Sequence, residues 1–464
     1  MVERSVRRSR FPWWVFLALA AAATAGYVWY ATLQTVKAQR ELEAALQRAS
    51  AAGLPVEIDD YEVTIRRPGG AEAAYQRAFE AYFAEQESLR HSLPSPEEPN
   101  AKSYLEHAEK RRKILPIILK ACAQPYCAFP VVPPRLEEAT FEAEFFERPE
   151  DRLYEFAIWT NREARVASLE GDWPRCLRYL QATTQLSQHA GQQLGFAAAL
   201  ASSKIDRGLI TTMSLIAGDH KSDTAWLANL DAFIRPLPPA YAFKRAAFTE
   251  MARSRELLRQ VVEGKRFDLA AEGPTTDDAE FARKLQNEAT RSKWEAAMVR
   301  RFITAFEALP IESSETVKAI AEWKEAFKTD DPFEEMFFAR FVSDGADTFK
   351  RLPTIPRHKV MRAVLVFMQH RIRTGKDPAS PGDLGEVARD PYGTDFLKVW
   401  VIREPMVHVK ETINPDRSIT RVETPLPTLE VRKLLYSVGQ NGKDNRALGD
   451  DVYVFIPGVE IVKR

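Results

Sequence analysis

The chain has 464 residues, of which 45% are hydrophobic and 28% charged. That length suits two or three domains, and that composition suits a protein that buries a core. Its 65 basic and 65 acidic residues cancel, so no global field draws the chain to polyanions, and nucleic acid is excluded as a partner.

The first local signal is a basic cluster, Arg4, Arg7, Arg8 and Arg10, followed over residues 11–33 by a run without charge. At 1.5 Å per residue that run is long enough to span a bilayer. Trp13 and Trp14 stand at one end, and Tyr27, Trp29 and Tyr30 at the other, where amphipathic rings favour headgroup layers. The arginines predict a cytoplasmic tail over 1–10 and a bulk beyond the membrane. A cleaved signal peptide is the competing reading, since residues 15–22 form a short apolar core before Ala23-Thr24-Ala25. The apolar run continues past that point, however, and residues 34–53 keep helical spacing with Leu42 and Leu46 at i,i+4. A signal anchor running into a helical stalk accounts for both, making this a single-pass membrane protein of the cell envelope with a periplasmic or otherwise extracytoplasmic bulk.

Residues 54–355 read as a mainly helical domain. Ala74, Ala78, Phe79 and Tyr82 form one apolar stripe. A second helical pattern over 104–122 follows Asn100 as N-cap, carries Pro116 as a candidate kink, and ends before a Pro-rich stretch at 125–134. Cys122 and Cys127 are close enough in sequence to close a small disulfide loop, or they are two buried thiols at a helix end; Cys176 is left over. Helical patterns over 156–169, 173–188 and 194–216 are separated by Gly171-Asp172 and Gly191, which predicts antiparallel helix pairs. Residues 164–186 are similar to one tetratricopeptide-type unit, without a clear second copy. Helical spacing continues over 226–234, 241–262, 279–309, 312–327 and 333–349.

Over 356–464 the character changes. One helix over 360–374 precedes a Val- and Ile-rich tail with five candidate strands, 396–402, 406–412, 419–422, 434–438 and 452–456. This predicts a small α+β module with an antiparallel sheet.

Catalytic motifs are missing from the sequence. The seven histidines, His91, His107, His189, His220, His358, His370 and His408, include no i,i+4 pair that would set two metal ligands on one helix face. There is no Gly-x-Ser-x-Gly elbow, phosphate-binding loop or dinucleotide fingerprint. Adjacent acids such as Asp330-Asp331 and Glu334-Glu335 suit helix caps and solvated faces.

The terminal residues carry a resemblance. A helix is followed by Lys376-Asp377-Pro378-Ala379-Ser380-Pro381, then Asp390-Pro391-Tyr392-Gly393, and finally Ser437-Val438-Gly439-Gln440-Asn441-Gly442 with Gly449-Asp450-Asp451. This order resembles the C-terminal part of type II secretion major pseudopilins, over about a hundred residues and without the pilin N-terminus. The resemblance implies a helix before a small antiparallel sheet and a loop that holds calcium. Independently of any family, calcium takes several oxygen ligands. Asn441, Asp444, Asp450 and Asp451, with the carbonyl of Val438, are the available donors. The pseudopilin loop has Asp where Asn441 stands here, and Arg446 adds a positive charge, so weaker calcium binding is expected. A plain polar hairpin is the alternative. The whole chain also resembles planctomycete-type membrane-anchored bacterial proteins in which a Cys-x-Phe-Pro element, here Cys127-Ala128-Phe129-Pro130, precedes such a tail; that resemblance implies no activity.

The expected function is a non-enzymatic, membrane-anchored envelope protein. Its helical domain meets protein partners, and calcium stiffens its terminal module. The alternatives are an envelope hydrolase with its site between the two domains, which needs a deep pocket of converging polar groups, and an accessory to a secretion system or pilus.

Overall fold

A computed structural model of the chain describes residues 13–57, 70–90, 101–127, 129, 149–193, 195–237, 243–263, 276–308, 325–341, 355–391, 395–413, 419–438 and 452–463. The fold is mostly helical, with a small antiparallel sheet near the C-terminus. The helices expected over 312–327 and 333–349 are described only in part, from residue 325 and up to residue 341.

Helix α1, Trp13–Ala51, runs unbroken for 39 residues, about 58 Å at the standard rise. It is long and apolar enough to cross a membrane, and residues 16–34 are all exposed. The character then switches within the same helix. Ala38, Ala45 and Ala49 are buried, the small residues of a 3.6-period face that lets a neighbouring helix approach closely. The segment expected to be a stalk is therefore docked along its length on the folded body.

Among the described residues the body has three large apolar clusters, besides a small one on the far face of the sheet. The first joins the end of α1 to α8 (Phe243–Val262), α9 (Thr276–Gln286), α10 (Glu288–Ala308) and α11 (Pro332–Phe341), around Met251, Phe281, Trp294, Met298, Phe302 and Phe337. Beside it, Arg255 binds the Val56 carbonyl at 2.5 Å, Glu57 at 2.6 Å and Glu295 at 2.7 Å, which fastens the chain leaving α1 to α8 and α10. The second cluster joins α2 (Glu72–Arg90), α3 (Ala101–Cys122), α4 (Pro149–Leu169) and α5 (Trp173–Gly191), around Tyr75, Phe79, Ile118, Leu153, Phe156 and Leu186. Pro116 lies inside α3 without ending it. The third joins α7 (Thr224–Ile234) and α12 (Ile355–Thr374) to the sheet, around Leu227, Val360, Val364, Phe367, Leu435 and Val454.

One helix belongs to all three clusters. Helix α6, Gly195–Asp219, gives Ala199 to the first, Ala201 and Ile205 to the second, and Leu209, Met213 and Ile216 to the third. A helix apolar on successive faces is a buried one, so α6 is the axis around which the body is assembled.

The α4–α5 turn formed where Gly171-Asp172 predicted it. Gly171 has φ +74°, a left-handed conformation natural only to glycine, and the Asp172 carboxylate caps α5 by accepting from the Arg175 amide at 3.1 Å. Thr160 and Thr183 then meet across the pair, hydroxyl to hydroxyl, at 2.7 Å. These residues lie almost equally far from the turn, as antiparallel neighbours must.

The sheet has the order β1-β2-β3, with β1 Lys398–Ile413, β2 Ile419–Ser437 and β3 Val452–Lys463. Four of the five expected short strands merge into two long ones. The pieces at 396–402 and 406–412 are one strand with a register shift between Pro405 and Val407, and those at 419–422 and 434–438 are another. Leu435 and Val454 face α12, whereas Leu434 and Tyr436 turn to the other side with Trp400 and Ile402, as the two-residue period of a strand requires. At the end of α12, Asp377 accepts from Arg371 at 2.5 Å and from Lys433 of β2 at 2.8 Å. Burial pushes the Asp377 carboxyl up, but these two cations outweigh it and hold it below the usual range.

Candidate binding groove and buried polar network

Of the five residues expected to bind calcium, Val438 is described and Asn441, Asp444, Asp450 and Asp451 lie outside the described residues. The Val438 amide donates to Asp390 Oδ2 at 3.0 Å, while Ser437 Oγ donates to Asp390 Oδ1 at 2.5 Å. Asp390 is buried. The two sequence motifs, Asp-Pro-Tyr-Gly and Ser-Val-Gly, are thus joined by one carboxylate that fixes where β2 ends. In the sequence Asp390 stands only as the first residue of the Asp-Pro-Tyr-Gly motif, although an acid before proline marks a special position. Among the described residues, no group of three or more His, Cys, Asp or Glu side chains could hold a metal ion.

The densest buried polar network lies where α2, α3 and α5 meet. Tyr75 and His189 are both fully buried, and the Tyr75 hydroxyl lies 2.8 Å from His189 Nδ1. His189 Nε2 lies 2.9 Å from the Gln124 carbonyl. A carbonyl only accepts, so Nε2 carries the proton and Nδ1 accepts from tyrosine, which defines the neutral tautomer. Burial drives the His189 pKa down to about 4, against the weaker opposite pull of that carbonyl. Cys122 Sγ sits 3.5 Å from the same hydroxyl and 3.6 Å from the Ala182 carbonyl.

Next to this network, two consecutive glutamines hold the segment after α3. Gln192 accepts from the Cys127 amide at 2.8 Å and donates to the Pro125 carbonyl at 3.2 Å. Gln193 accepts from the Phe129 amide at 3.1 Å and donates to the carbonyls of Cys127 at 2.9 Å and His189 at 2.7 Å. The side-chain amides imitate a neighbouring β-strand, giving donors and acceptors to a buried backbone that has no ladder of its own. Cys127 and Phe129 are the residues of Cys127-Ala128-Phe129-Pro130 that are held in this way. Cys122, Cys127 and Cys176 are free thiols. Burial pushes Cys122 and Cys176 up to about 12, and Cys127 well above its ordinary value, so none is a thiolate at neutral pH.

Other histidines are engaged separately. His358 of α12 lies 2.6 Å from Asp206 Oδ1 of α6, both buried. His220 bonds Ser168 at 2.8 Å and stacks on Trp226 with ring centroids 4.0 Å apart. These contacts join helices; the Ser168 hydroxyl beside His220 is fully buried, and His220 Nε2 also lies 3.0 Å from the Ser168 carbonyl.

An open groove of about 500 Å3 runs between α5 and the end of α7. Trp173, Leu177, Phe233 and Leu237 give it apolar walls, and Gln181, Thr184, Gln185 and Asn229 give it amides and a hydroxyl. Among the described residues no charged side chain lines it, in a chain that is 28% charged. Gln185 also reaches inward, the end of its side-chain amide 2.9 Å from His189 Nε2; with Nε2 protonated, the amide's oxygen is the end that accepts there, so the groove wall is continuous with the buried network. Such a surface offers hydrophobic contact together with hydrogen bonds to neutral amides or hydroxyls.

Comparisons with protein-family models, with curated proteins and with solved structures find no match to this chain.

Proposed function

We propose that this chain is a non-enzymatic, single-pass protein of the cell envelope, its N-terminus cytoplasmic, whose helical domain binds an uncharged, extended polypeptide segment in the α5–α7 groove. The observation that carries this reading is the groove itself, apolar and amide-lined, with no charge among its described lining residues. An extended segment leaves its backbone amides unpaired, and Gln181, Gln185 and Asn229 are suited to take them up. The thiols and His189 are committed to packing, with pKa values moved away from those useful in nucleophilic or acid–base chemistry. Membrane insertion is supported by α1 and the arginines before it. The α4–α5 pair serves as one tetratricopeptide-like unit of the binding domain. The terminal module is a pseudopilin-like fold stiffened by calcium through Val438, Asn441, Asp444, Asp450 and Asp451. Helix α12 before a three-stranded antiparallel sheet supports that reading, as does the Asp390 link between its two motifs.

The test is site-specific photocrosslinking in cells. A crosslinker at Gln181 is expected to give one discrete protein adduct, which Asn229→Arg abolishes without changing membrane association. Adducts at the exposed Leu215 on α6 but none at Gln181 would move the interaction away from the groove.

A further inference from the structure

The unbroken path of α1 fixes how high the folded body stands above the bilayer, given that α1 spans it as proposed above. The apolar part of the charge-free run ends at Leu33, before the polar Gln34 and Thr35, and Gln39, six residues after Leu33, donates to Glu288 Oε1 at 2.8 Å. Six helical residues rise about 9 Å, little more than the depth of one headgroup layer, roughly 5–8 Å. Glu288 is the first residue of α10, and Gln286 ends α9, so the α9–α10 corner comes down to the headgroups.

The side chains at that level carry both signs. Lys37 and Arg40 of α1 are exposed, and the Arg283 side chain of α9 is 80% exposed. Glu280 lies 3.9 Å from Arg283 and 3.4 Å from Lys284, and Glu41 and Glu288 add negative charge beside α1. The three exposed cations project on long stems that reach several ångströms beyond their backbone, which is sufficient to meet lipid phosphate.

We propose that the α9–α10 corner is a second membrane contact, resting on the headgroup layer, with Lys37, Arg40 and Arg283 binding lipid phosphates. The body is then held at two points, through α1 in the bilayer and through this corner on it, with α10 standing away from the membrane.

The experiment uses the full chain in lipid nanodiscs. Because Cys127 and Cys176 are buried, Cys122 is only partly exposed and all three are protonated, a cysteine introduced at Asn287 or at Thr304, both exposed, labels selectively with a fluorophore. Thr304 lies about 25 Å farther along α10 than Asn287. With a quencher on the lipid headgroup, the expected result is strong quenching at Asn287→Cys and its loss at Thr304→Cys. Equal quenching at the two positions, or none at Asn287→Cys in protein recovered within the discs, overturns the proposal. Adding Arg40→Glu and Arg283→Glu is expected to lower the quenching at Asn287→Cys, and an unchanged signal removes the phosphate contacts. Protein that never enters the discs instead refutes the membrane reading on which the inference rests.

Discussion

Tyr75 and His189 meet edge to face, with ring centroids 5.6 Å apart, and share a hydrogen bond in the interior of the α2–α3–α5 junction. The bond has a direction, because His189 Nε2 is committed to the Gln124 carbonyl. Protonating the imidazole would place a second N–H against the tyrosine hydroxyl and a charge in a dry site.

The fold should therefore lose stability in mild acid. His189 has a folded pKa of about 4, against roughly 6.5 when unfolded. A histidine whose folded pKa is depressed contributes its stability in full above the unfolded value and loses it as pH falls towards the folded one. The shift corresponds to about 3 kcal/mol across that window. Thermal melts between pH 7.5 and 4.5 should show this slope, and His189→Gln, although less stable at neutral pH, should show a shallower one. Equal slopes would assign the acid sensitivity elsewhere.

Gln193→Ala strands the Phe129 amide and the Cys127 carbonyl without their partner. Stranded buried polar groups cost about 1–3 kcal/mol each, so a destabilisation of about 2–4 kcal/mol is expected in urea titrations. Cys127 should at the same time become open to maleimide under native conditions. Unchanged labelling would mean that packing alone holds the segment.

Arg255→Ala should weaken the attachment of α1 to the body. It leaves Glu295, which is itself largely buried, without its cation, a loss of roughly 3 kcal/mol for pairs of this kind. Arg255→Met together with Glu295→Met restores apolar packing and should recover much of that loss. Protease cleavage just after Ala51 is the readout, accelerated in the single variant and near wild type in the double.

Removing calcium should lower the melting temperature of the terminal module, because an ion bound only by the folded state stabilises it by mass action. Chelator and Asp451→Ala should have the same effect and should not add. Asp390→Asn acts differently: it weakens the hold on Ser437 and Val438 and should speed amide exchange at Val438 even with calcium present. Melting curves indifferent to calcium would leave the 439–451 segment as turns.

What the sequence made legible was decided by local chemistry. The break before α5 could be read because Gly171 and Asp172 each perform one job within their own turn. The strands were harder, since proline signals an end while sheet geometry tolerates it at an edge. Pro405 lies in β1, which has β2 on one side only among the described residues, and Pro425 and Pro427 precede the part of β2 that pairs with β3 at Thr428. The groove and the glutamine clamps could not be read, because Gln192 and Gln193 act on a backbone more than sixty residues earlier. Nor does the sequence reveal that α6 serves three cores; that depends on which helix comes to each of its faces.

The continuity of α1 also sets an angular phase. Each helical residue turns about 100°, so the number of residues between Leu33 and Ala38 fixes the direction in which the body faces around the exposed, apolar half of α1. One inserted alanine would swing the α5–α7 groove by that angle. Seven would return it close to its original heading and lift it by about 10 Å. With α1 in a membrane and the groove occupied as proposed, the compass bearing of that surface is written in a residue count, and a partner held in the same membrane must match it.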